Sequence, residues 1–175
     1  RHQVEILLRQ HTSLLHETYP PRFVNNIYLD SHNYKCYFDN IDGISDRAKF
    51  RIRWYGELCS HISKPVLEIK TKKGLLGGKH SFALKTFEIK PGFSVDSIKN
   101  VLRNSDIPET LRSFLLSLEA SLLNRYSRQY FLSANKLLRA TLDYNQEFYK
   151  LSPKFNRFQN KHIDNLSSIL ELKYD

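Results

Sequence analysis

From Lys49 to Trp54 polar and apolar residues alternate without a break. Lys49, Arg51 and Arg53 take one set of positions, and Phe50, Ile52 and Trp54 the other. Successive side chains of a strand point to opposite faces, so residues 48–56 predict a strand with one cationic and one apolar side. The same period recurs at 64–74, where Glu68, Lys70 and Lys72 alternate with Leu67 and Ile69. Further strands are predicted at 23–31, 79–92, 125–133, 136–144 and 167–175, with a glycine-rich turn before the 79–92 strand.

Helices are predicted in four places. Val4, Leu7, Leu8, Leu14 and Leu15 predict a helix over 2–16, ended by Tyr19-Pro20-Pro21. Residues 32–43 predict a short helix closing near Gly43. After Pro91-Gly92, Ser94 is placed as an N-cap before the stripe Val95, Ile98, Val101, Leu102. A second helix starts near Pro108, with Leu111, Phe114, Leu115, Leu118 and Leu122 as its apolar face. Residues 145–166 are polar and predict a loop over one mouth of the sheet. The order of elements gives one α+β domain over 1–175 with a mainly antiparallel sheet.

Charge changes this picture more than composition does. The chain of 175 residues carries 27 Lys and Arg against 18 Asp and Glu, a net charge of +9. That balance favours polyanionic partners: nucleic acid, anionic membrane or phosphate-rich small molecules. No apolar run approaches the length that crosses a bilayer, and the N-terminus has no signal-peptide pattern. Cys36 and Cys59 form no disulfide framework and no metal spacing, which fits free thiols in a reducing cytoplasm. With no Met in the sequence, a fragment or a partly ordered domain is expected.

A half-wet sheet usually mixes both signs on its solvent side. Here Lys and Arg dominate the polar faces, and carboxylates come one per strand in the order Glu-apolar-Lys, as in Glu68-Ile69-Lys70 and Glu171-Leu172-Lys173. Arg128 is flanked by Tyr126 and Tyr130, and Arg139, Thr141 and Asp143 share a face. Curled with its charged side inward and its apolar side under the helices, such a sheet would hold a chain of phosphates. Carboxylates in that lumen become useful if a divalent metal bridges them to the phosphates.

Six segments in this order, NNIYLDS, KFRIRWYG, LEIKTKKG, RYSRQYF, RATLDYN and LELKYD, resemble the VTC domain. That family belongs to the triphosphate tunnel metalloenzymes, alongside the CYTH proteins. The resemblance implies an eight-stranded antiparallel tunnel with helices packed outside. It also implies Mn2+ or Mg2+ as cofactor, and synthesis of inorganic polyphosphate from a nucleoside triphosphate. Related tunnel enzymes hydrolyse triphosphate, and a non-catalytic module for polyphosphate or inositol phosphates is a further alternative. By motif, Arg51 and Arg53 resemble the family's phosphate-gripping R-x-R pair, and Lys70 its E-x-K lysine. Arg128 and Arg139 match its Y-x-R and R-x-[ST]-L-D arginines, and Lys173 sits beside Glu171, the counterpart of its metal-binding glutamate. Lys79, with Lys85 as the alternative, matches a further phosphate-binding lysine. Lys49 and Lys72 share the cationic strand faces and join the phosphate contacts. Glu68 stands between a metal-binding and an ion-pairing role.

The family's first strand and a Ser-Lys-Tyr/Phe segment beyond LELKYD are absent, so either truncation at both ends or a degenerate domain that binds without catalysing is expected. The partners expected are nucleoside triphosphate and polyphosphate. Neither nucleic acid nor membrane insertion is expected, and a membrane-anchored partner or fused segment is left open. The stretch 74–81 resembles a Walker A loop but has three residues between Gly74 and Gly78 where four are needed, and a strand follows. Trp54 lies on an apolar strand face and is assigned to the core.

Overall fold

A computed structural model describes residues 1–174. The main sheet is built from β1 (His16–Asp30), β2 (Arg47–Tyr55), β4 (Val66–Lys73), β5 (Leu76–Ala83), β7 (Glu119–Leu132), β8 (Leu138–Lys150), β9 (His162–Asp164) and β10 (Ile169–Tyr174). Its order is β10-β8-β7-β1-β2-β4-β5, with β9 paired to β8, and every pairing is antiparallel. A two-stranded sheet joins β3 (His61–Ile62) to β6 (Phe87–Glu88). The helices are α1 (His2–Gln10), α2 (Lys35–Ile41), α3 (Asp96–Asn104) and α4 (Glu109–Ser117). The sheet does not close into a barrel: β5 and β10 are its edges, and no pairing joins them among the described residues. No helix there is long and apolar enough to cross a membrane.

One face of this sheet is the core. Ile27, Phe50, Ile52, Trp54, Leu67, Ile69 and Leu123 pack with Ile98, Val101 and Leu102 of α3 and Leu115 of α4. A second cluster seats α1 on β7 and β8 through Leu8, Leu15, Phe131, Ala140 and Leu142. The helices thus cover the apolar side, as expected from the alternation. Trp54 is 1% exposed, in edge contact with Phe87. Ser94 caps α3 from one residue before the N-cap position, its hydroxyl accepting the Asp96 amide.

Several boundaries differ from the sequence reading. The first helix ends at Gln10 rather than 16, and β1 begins at His16 and runs through Pro20-Pro21. Proline lacks the N–H that a ladder needs, and register shifts between Glu17 and Arg22 absorb the two residues against β7. The second long helix stops at Ser117, and Glu119–Leu123 extend β7 instead. Their helical period yields to pairing with β1, where Leu29 faces Ala120 and Ile27 faces Leu123. The predicted strand 79–92 splits into β5 and β6. The turn before it is only Gly74-Leu75, with Lys73 paired to Leu76, while Gly77 and Gly78 lie within β5. Within the predicted loop, β8 continues to Lys150 and 162–164 form β9. Of the strand predicted at 167–175, Asp175 lies outside the described residues.

The sheet is strongly curled. Five strand spacings of about 4.8 Å would hold β4 and β10 some 24 Å apart if it were flat. Instead Lys70 on β4 feels the charges of Glu171 and Lys173 on β10. The polar face is therefore the concave one.

Candidate functional site

Register places the predicted cations on this concave face in rows. Directly opposed residues of an antiparallel pair share a face. Lys49, Lys70 and Lys79 lie abreast on β2, β4 and β5. One rung along, Tyr28, Arg51, Glu68 and Ser81 are abreast on β1, β2, β4 and β5. Arg47 faces Lys72, Arg22 faces Arg128, and Arg139 faces Lys173. Glu171 lies opposite Thr141 on the same face. Lys85 follows the end of β5, its amide bound to the Ser105 hydroxyl.

Like charges directly opposite each other oppose sheet formation. Among the described residues Glu68 and Asp143 offset this most closely, and Glu171 lies 3.4 Å from Lys173. Glu68 receives Arg51 Nη2 and Lys79 Nζ at 2.6 Å, on different oxygens, with Arg53 Nη1 at 3.4 Å. Burial pushes its carboxyl up, but the Lys79 hydrogen bond and the charges of Arg53 and Arg51 outweigh it and hold the group at about 2. Asp143 takes Arg128 in a bidentate grip, 2.6 Å from Nε and 2.7 Å from Nη2. Burial opposes the Arg128 charge, yet Asp143 raises its pKa above the ordinary arginine value. Among the described residues no carboxylate clamps Lys70 or Lys49 in this way. Burial and their cationic neighbours lower both below the usual lysine value.

A polar relay links these groups. Arg53 Nε donates to Asn26 Oδ1 at 2.8 Å, and Asn26 Nδ2 donates to Asn124 Oδ1 at 2.8 Å. Arg53 and Arg128 both donate to the Tyr126 hydroxyl. Asn26, Asn124 and Tyr126 were not among the sequence candidates. The signal for the first was present: asparagine is depleted in strands, and one inside the β-rich run NNIYLDS calls for a buried partner. Toward the other end of the face, Tyr130 and Thr141 are directly opposite each other. Their hydroxyl oxygens are buried without a hydrogen-bond partner among the described residues. Arg22 lies 4.7 Å from the Tyr130 ring centroid and 5.0 Å from that of Tyr55.

Of the carboxylates on this face, Glu171 fits a divalent cation best. Its side chain is 42% exposed and its nearest cation, Lys173 Nζ, is 3.4 Å away. Burial raises the Glu171 carboxyl, while Lys173, Lys70 and Arg128 together bring it below the usual range, so it is ionised near neutrality. Both Glu68 oxygens are engaged by cations. No group of three His, Cys, Asp or Glu side chains able to hold a metal occurs among the described residues. Mg2+-like ions bound by one or two carboxylates together with substrate phosphates need no such group.

No curated protein matches the sequence. The family description VTC domain matches residues 2–175, essentially the whole chain. With the ordered cationic strands now seen on one concave face, the chain belongs to the VTC domain family.

Proposed function

We propose that the concave face binds the phosphates of a nucleoside triphosphate and of a polyphosphate chain, and transfers phosphoryl groups from one to the other. The observation that carries this reading is the row Lys49, Lys70, Lys79, with Arg47/Lys72, Arg22/Arg128 and Arg139/Lys173 on the same face. A fold that lines up like charges at its own cost is arranged for an anion that spans several strands. Glu68, held by two arginines and a lysine, occupies the kind of position a phosphate group would take.

In this reading a terminal phosphate oxygen of the chain attacks the γ-phosphorus, the β,γ-bridging bond breaks, and nucleoside diphosphate leaves. Arg51, Arg53, Lys70 and Arg128 hold the phosphates in line, with Arg139, Lys173 and the lysines 49, 72 and 79 extending the track. Positioning and charge stabilisation supply the acceleration, and no general base is needed because the nucleophile is already an oxyanion. Glu171 would hold Mn2+ or Mg2+, which offsets charge on the phosphate oxygens when bound. Cys36 and Cys59 are free thiols, which supports a cytoplasmic setting.

The test is ATP turnover by the purified protein with Mn2+, products being separated as chains or free phosphate, beside Arg51→Ala and Glu171→Ala. Metal-dependent chain growth lost in both variants is the expected result. Free phosphate alone would make the domain a triphosphatase. Polyphosphate binding without turnover, lost in Arg51→Ala, would make it a binding module.

A further inference from the structure

Three arginines of the concave face are held by the same edge of the guanidinium, but not by the same kind of partner. Arg51 gives Nε to a Glu68 oxygen at 2.8 Å, and Arg128 gives Nε to an Asp143 oxygen at 2.6 Å. Arg53 gives Nε to the neutral amide oxygen of Asn26 at 2.8 Å. Among the described residues its ion-pair contact is Nη1 to Glu68 Oε2 at 3.4 Å, and that oxygen already takes both Nε and Nη2 of Arg51. Arg53 is nonetheless only 8% exposed, and buried charges are ordinarily matched by a close counter-ion.

Asn26 is built into its position. Register sets it directly opposite Arg53 on β2 and directly opposite Asn124 on β7, and it is completely buried. A guanidinium only donates, so Asn26 must turn its oxygen to Arg53 and its N–H to the other side. There Asn124 Oδ1 accepts it at 2.8 Å. A side-chain amide can sit either way round, and the Asn124 oxygen keeps this one from turning an N–H toward Arg53. The Tyr126 hydroxyl, 3.2 Å from Nη2, steadies the guanidinium from a second side. Arg53 therefore has a set direction and an incomplete counter-ion.

We propose that Asn26 is a positioning residue for phosphate: locked by Asn124, it orients Arg53 through an uncharged acceptor, so that this guanidinium keeps its charge for a ligand while Arg51 and Arg128 share theirs with Glu68 and Asp143. A carboxylate at position 26 would hold Arg53 as firmly, but would cancel the field that attracts an anion. The inference rests on the phosphate-binding reading above, and gives the reason why one arginine of the three is tethered by an amide.

Calorimetric titration of inorganic tripolyphosphate with Mg2+, beside urea unfolding without ligand, tests it in the wild type and in Asn26→Asp. Aspartate has nearly the shape of asparagine and is ionised beside a guanidinium, and Asn124 can reverse its own amide to donate to it. No hydrogen bond is lost, and the one from Nε gains a charged acceptor. The expected result is a variant at least as stable as the wild type that binds tripolyphosphate about tenfold more weakly or worse. A role in packing alone predicts an affinity within about twofold of the wild type, and that result overturns the proposal. A second comparison does not depend on that variant folding. Asn124→Ala lets the Asn26 amide turn and should weaken tripolyphosphate binding about fivefold, whereas in an Arg53→Ala background the same change should have no effect. No loss in Asn124→Ala, or a loss that persists with Arg53 removed, overturns the role of Asn26 and leaves the phosphate face standing. Failure of tripolyphosphate to bind the wild type overturns both.

Discussion

Arg51 and Glu68 face each other across β2 and β4, the guanidinium reaching one carboxylate oxygen with Nη2 at 2.6 Å and Nε at 2.8 Å. The pair is mostly buried, and Lys79 and Arg53 share the same carboxylate. Glu68 is therefore the internal counter-ion of the cationic face, and a phosphate ligand would relieve it of that duty.

Glu68→Gln should destabilise the free protein by about 2 kcal/mol, since several charge-assisted hydrogen bonds are weakened and three cations lose their anion. Adding tripolyphosphate should raise the melting temperature of the variant by more than it raises that of the wild type. A ligand-induced shift no larger in the variant would rule out competition between Glu68 and phosphate.

The same carboxyl gives an acid limb with a definite sign. Its folded value of about 2 lies below its ordinary 4.5, so its contribution is fully present above 4.5 and is lost as pH falls through about 2. Melting curves taken from neutral pH downward should show the gap between wild type and Glu68→Gln closing in that interval. A gap constant down to about 2 would show that the carboxylate charge is not what stabilises the face.

Arg128→Lys keeps the charge but loses the fork that meets Asp143 with two nitrogens. About 2 kcal/mol of stability should go with it, measured by urea unfolding, because an ammonium cannot make the planar bidentate contact. Phosphate binding should weaken in parallel.

Tyr130→Phe and Thr141→Val remove hydroxyls that have no partner among the described residues. Neither should cost the free protein more than about 0.5 kcal/mol, because no hydrogen bond is lost. Both should weaken polyphosphate binding several-fold if these hydroxyls meet the ligand. Stability loss without a binding change would mark them as packing residues.

Gly78 is in β5 opposite Thr71, and a Cβ there would lie 2.6 Å from Thr71 Oγ1. Gly78→Ala should cost about 1–3 kcal/mol through overpacking. Thr71→Ala in the same chain should recover most of that, a coupling read directly from a double-mutant cycle in thermal unfolding.

The two-residue period made much of this site legible in advance. Arg51, Arg53, Glu68 and Lys70 share a face because β2 and β4 alternate cleanly, and Trp54 falls in the core for the same reason. Asn26, Asn124 and Tyr126 were not legible as a group, because their contacts exist only between strands far apart in the chain. The start of β7 is not legible in the sequence because the helical period in 118–122 is a local signal, which pairing with β1 overrides.

By itself, the sequence determined the faces: which side of each strand is apolar, which is cationic, and that helices must cover the former. Those properties follow from backbone geometry within a few residues. Tertiary structure alone decided which cations stand abreast, that Glu68 rather than solvent balances Arg51, and that Asn26 rather than a carboxylate meets Arg53 Nε. Register and sheet curvature are set by the packing of the whole domain, and no local pattern encodes them.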